Sequence, residues 1–245
     1  MPGASARNAL IGIQPFGNFA TPDSVQRHKL GTIIEFDDPY WGGIKAIYLQ
    51  FDGALTTTFG AILQWDTTTT FYNATTMGNT INLGNSFGIL ANKLVGSTTQ
   101  QYGWAVIGGV FPVLSNASVA TNVAIGIVGA GRAGALAAGK QLLGARVVRP
   151  ATTTVAKANC SIVTGSPVLK APNTDGWFVG MPISGTGIPA STTVSGLDQD
   201  GSTVTMSANA TANNSITATG TYNDGTTNYW NVISFVAGTM QGPIT

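Results

Sequence analysis

Residues 101–113 read Gln-Tyr-Gly-Trp-Ala-Val-Ile-Gly-Gly-Val-Phe-Pro-Val, and two related runs follow: Asn-Val-Ala-Ile-Gly-Ile-Val at 122–128 and Leu-Gly-Ala-Arg-Val-Val at 143–148. Each is short, rich in Val and Ile, and bounded by Gly, Pro or small polar residues. Buried or half-buried strands have this form. Working outward, residues 31–36, 44–51 and 229–236 read as strands, 59–66 and the Thr-rich 67–74 follow, and 81–95 alternates imperfectly, with room for a short turn. Asp37-Asp38-Pro39 predicts a turn and Asp52-Gly53 a hairpin turn. Short elements punctuated by Gly, Asn and Thr predict an all-β fold, a β-sandwich or barrel-like main domain.

Residues 150–157 are Thr/Ala-rich and read as a linker. Beyond them, strands are expected at 161–164, 177–183, 192–197, 202–207 and 215–219. Turns recur about every ten residues, which suits a small β module. The run at 229–236 is strong enough to rejoin the first sheet, so the module, a second small β-sandwich, is expected to be inserted near the C-terminus. The expected division is an extended N-terminal arm (1–30), a main β domain (31–157 plus 221–245) and the inserted module (158–220).

The 245 residues are 43% hydrophobic, so a large core is possible, but only 9% are charged against roughly 25% in an average soluble domain. A net charge of +1 argues against nucleic acid as a partner. Charge depletion fits a protein that hides much of its surface in an assembly, because interface cores are poor in Lys, Glu and Asp. It fits a Thr/Asn-coated extracellular or virion surface equally well. The single cysteine, Cys160, excludes an intramolecular disulfide and reads as a small core residue. No apolar stretch reaches the ~18 residues of a membrane span. No charged segment followed by an apolar run opens the chain, so no signal peptide is expected.

Three patterns invite chemistry. Gly129-Ala-Gly-Arg-Ala-Gly134 matches a dinucleotide-binding fingerprint, but no acidic residue follows about 20 positions later and no alternation of strands and helices surrounds it. A β-turn between strands is expected there instead. Asp37-Asp38, and Asp198 with Asp200 beside Gly201, lack the further oxygen ligands that a cation cage needs. Ser-His-Asp chemistry would need His28, which falls in the irregular arm. Paired carboxylates for glycoside hydrolysis are equally scarce, since adjacent residues on a strand face opposite ways. No catalytic residue, metal or cofactor is therefore expected. Trp177, Tyr222, Tyr229 and Trp230 are the aromatics available for stacking on sugars; core packing is the plainer account of them.

Residues 101–113, the strand to Val128, Gly131-Arg132, and Ala-Gly-Lys-Gln-Leu-Leu-Gly-Ala-Arg-Val at 138–147 together resemble the β-rich decoration (cement) proteins of tailed-phage capsids. There a "YGW" strand, a proline-containing bend, a "GR" turn and an "AGKQ…AR" strand follow in this order. Residues 179–189, with Thr192-Thr-Val194 and residues 204–210, resemble a small β module recurring in phage capsid, tail and fibre proteins. The resemblance implies a non-enzymatic virion protein on the outer surface of the capsid. It would bind the phage major capsid protein and itself, as a homotrimer, without membrane or nucleic acid. The arm and the tail at 238–245 would then make the contacts, with Arg7, Arg27, His28 and Lys29 as candidate contact residues. The alternative is a fibre or tail protein that binds a host receptor or glycan.

Overall fold

The stretch that opens the argument forms one long strand, β7 (Gln101–Ser115). The structure is a computed structural model and describes residues 5–6, 22–52, 55–65, 72–81, 86–94, 96, 100–198 and 201–236. Along β7 the antiparallel partner changes. β3 (Gly42–Phe51) pairs with residues 101–108, and β17 (Tyr229–Phe235) with residues 109–115. The change falls at Gly109, where φ is 112° and a Cβ would stand 2.4 Å from the Gly43 carbonyl oxygen. Pro112 fits within the strand because its missing N–H points away from β17. Leu114, two residues on and so facing the same way, sends its N–H to the Gly60 carbonyl at 2.7 Å.

Around β7 run β1 (Ser5–Ala6), β2 (Ile33–Asp38), β4 (Ile62–Trp65), β5 (Asn73–Thr76), β6 (Phe87–Leu90), β8 (Ala124–Gly129), β9 (Arg132–Ala135) and β10 (Gln141–Arg149). The eleven strands follow the order β1-β2-β3-β5-β4-β6-β7-β17-β10-β8-β9, and further pairings β3–β7 and β7–β9 bend the sheet nearly into a barrel. Tyr48, Phe51, Phe36, Phe87 and Phe111 are among its largest fully buried side chains.

A six-stranded sheet follows, in the order β13-β16-β11-β12-β15-β14. It is built from β11 (Thr154–Ile162), β12 (Val168–Lys170), β13 (Ile183–Ser184), β14 (Val194–Leu197), β15 (Thr203–Met206) and β16 (Asn214–Thr221). All six strands lie in the chain between β10 and β17 of the larger sheet. The protein is all-β, and no helix is present among the described residues.

Several boundaries differ from expectation. β2 continues through Asp38, and the turn comes one step later, at 39–41, because the Asp38 carboxylate accepts the N–H groups of Tyr40 and Trp41, both at 2.8 Å. The linker is shorter than expected, since β11 begins at Thr154. Residues 177–181 form turns, not a strand; Phe178 reaches the other sheet, while Trp177 and Met181 pack on β16 of their own. Val168–Lys170 forms a strand that its short length concealed. The Gly129–Gly134 motif is the β8–β9 hairpin. Gly131 there has φ 65°, and a Cβ on Gly134 would meet Asn116 Oδ1 at 2.5 Å. Close packing in a hairpin accounts for these glycines.

Candidate functional site

The two sheets meet at an aromatic seam. Phe178, from the turns before β13, stacks on Phe59 with ring centroids 4.4 Å apart. It also packs against Trp230 at 5.2 Å and edge-on against Tyr222 at 5.5 Å. Trp41 approaches Tyr222 at 6.1 Å. Three polar ring ends here bond to backbone: Trp230 Nε1 donates to Phe59 O, Trp177 Nε1 to Val155 O and Tyr222 Oη to Gly176 O. Trp177, Tyr222 and Trp230 are therefore core residues and present no face to a sugar. Only Tyr229 keeps partial exposure.

One side of the seam is polar. Arg149 donates to the Tyr40 hydroxyl at 2.5 Å and lies over its ring, 4.9 Å from the centroid. Asp38, only 6% exposed, sits beside them. Burial pushes its carboxyl above the usual range and Asp175 adds to this; the N–H bonds from Trp41 and Tyr40 oppose it. Burial likewise raises the Tyr222 phenol. Two carboxylates approaching each other in a low-dielectric setting can make an acid–base pair. Here Asp38 is occupied in capping its own turn, so its role is to hold Tyr40 and Trp41 against the second sheet.

Of the candidate contact residues, Arg7 lies outside the described residues, as does the tail from 237. Arg27 is paired with Asp23 at 2.6 Å, and its N–H donates to the Tyr48 hydroxyl at 3.2 Å. That hydroxyl is pushed up to about 12, chiefly by burial. His28 is half-buried. Its ring lies edge-on to Tyr48 at 5.0 Å and 5.3 Å from Trp104. Lys29 is exposed. The Asp23–Tyr102 bridge joins this segment to β7, and β1 pairs with β2 at Ser5–Asp37 and Ala6–Phe36. The described parts of the arm thus lie against their own chain.

No group of three His, Cys, Asp or Glu able to hold a metal occurs among the described residues. Asp198 closes a turn to Gly201 through its carbonyl, and Asp200 lies outside the described residues. Cys160 is buried, which raises its thiol, and its Sγ lies 3.2 Å from the Lys157 carbonyl. Among the described residues, no helix is long and apolar enough to cross a membrane.

A groove of 440 Å³ lies where β7 changes partners. Phe36, Ile44, Phe235, Val236 and the glycines 43, 108 and 109 line it, with Glu35 and Lys45 paired at 3.5 Å on its edge. Nothing in the charge or spacing of the sequence marks it, because the glycines that open it are far apart in the chain. Comparison with protein-family models, curated proteins and solved structures finds no match.

Proposed function

We propose that this chain is a structural protein of a phage virion, a decoration protein that binds the outside of the assembled capsid as a homotrimer and stabilises it. The observation that carries this reading is the place of the segment resembling decoration proteins. Residues 101–149 supply β7, the long strand that pairs with β3, β6, β17 and β9, and the strands β10, β8 and β9 at one end of the larger sheet's order, in a chain with only 9% charged residues. A ligand that binds only the assembled shell stabilises it by mass action, and many copies around symmetry axes add avidity. The alternative, a receptor- or glycan-binding fibre protein, has lost three of its four stacking candidates to the core.

Deleting residues 1–29 and measuring occupancy on phage heads tests the arm as the clamp. Loss of occupancy with the β core still folded is expected; retained occupancy refutes the clamp. Imaging the particle separates the two readings, since decoration copies cover the head and fibre copies sit at the tail.

A further inference from the structure

We infer that the outer face of β10 and β17, around Leu143, Arg146 and Val236, docks a partner protein surface that combines carboxylates with aliphatic side chains. Under the reading above, on which this inference rests, that partner is the assembled shell. The face is contiguous. Arg146 stands opposite Ser234 in the β10–β17 ladder, and a Cβ on Gly144 would lie 3.4 Å from Val236 Cγ2. Gly144, at φ 73°, interrupts the alternation of β10, so that Leu143 and Arg146 both point outward while Leu142, Ala145 and Val147 point in. Arg146 also donates to the Asn122 carbonyl at 3.0 Å.

Two independent features set this face apart. The first is apolar exposure: Val236 is 71% exposed and Leu143 36%, and the groove beside Val236 extends the patch. Single exposed aliphatics are ordinary, whereas a contiguous group marks an interaction site. The second is uncompensated charge. Residues 67–174 contain seven basic and no acidic residues. On and beside β10, Arg146 bonds only to the Asn122 carbonyl, and Lys140 only to Asn79 Oδ1, among the described residues. Positive potential without local counter-charge attracts and orients a partner bearing carboxylates. Aliphatic anchors with an arginine suit a protein interface; a phosphate backbone would call for more cations and fewer aliphatics.

The test uses full-length protein and phage heads stripped of it, with binding read by co-sedimentation at low and high salt. Wild type is expected to bind, more weakly as salt rises, and the pair K140E and R146E to lose about tenfold or more. L143S with V236S should weaken binding with less change in salt dependence. The neutral pair K140Q and R146Q supplies the comparison should the reversed pair fail to fold, judged by its melting temperature. Wild-type affinity in the charge variants overturns this surface while leaving decoration intact. Equal affinity for heparin overturns the protein partner, and self-association that the variants abolish makes a second copy the occupant. Failure of wild type to bind heads removes both this inference and the reading it rests on.

Discussion

Phe59 and Phe178 stack with planes 9° apart, and with Trp230 and Tyr222 they hold the six-stranded sheet against the eleven-stranded one. Phe178 is 3% exposed. Phe178→Ala is expected to cost about 3–5 kcal/mol, the range for emptying a buried aromatic site. The loss should concentrate at the seam. Limited proteolysis should cut first near residues 150–153 and 222–228, where the chain crosses between sheets. A variant that melts and digests like wild type contradicts this account of the junction.

Gly109 has no tolerable substitute. Its φ of 112° and the 2.4 Å approach of Gly43 O to a notional Cβ exclude an L side chain. Gly109→Ala should destabilise by roughly 3 kcal/mol or more through combined strain and overlap. Gly165, at φ 78° with nothing within 4 Å, is the control. Gly165→Ala should cost only about 1–2 kcal/mol, for the left-handed backbone alone. Denaturant midpoints measure both.

Asn231 is a fully buried polar bolt. Its Oδ1 accepts the N–H groups of Val119 at 2.9 Å and Ala151 at 3.0 Å, and its Nδ2 donates to the Ala117 carbonyl at 2.8 Å. It therefore ties β17 both to the loop after β7 and to the crossing into β11. Asn231→Leu keeps the volume but strands three backbone groups, at about 1–3 kcal/mol each. Hydrogen exchange at the amides of Val119 and Ala151 should accelerate more than at β3.

Asp224 organises the return crossing. Burial alone would raise its carboxyl; the N–H groups of Asn228, Thr226 and Thr227 and the Thr226 hydroxyl instead hold it at about 2. A folded-state value below the unfolded one stabilises the protein above the unfolded value of about 3.9. That contribution is lost as pH falls through about 2. Wild type should therefore exceed Asp224→Asn in urea midpoint at pH 6, and the gap should close between about pH 4 and pH 2. A gap that persists at the lowest pH rules out the carboxylate as its source.

What the residues declared by themselves was local. Val- and Ile-rich runs such as 101–113 and 229–236 identify strands because a pleated, half-buried surface selects those side chains over a short length. The all-β class, the turn glycines of 129–134 and the core character of Cys160 and Trp230 follow from that short-range chemistry. Val168–Lys170 is not legible in the sequence because three residues cannot display an alternation. Residues 177–181 read as a strand by their apolar content, but that content packs Phe178 across the seam and Trp177 and Met181 onto β16, and makes no ladder. The change of partner at Gly109, the stacking of Phe178 on Phe59, the docking of His28 on Tyr48 and Trp104, and the exposed face around Leu143 and Val236 were decided by tertiary structure alone. Each joins residues distant in the chain, and no local period records which distant surfaces will meet.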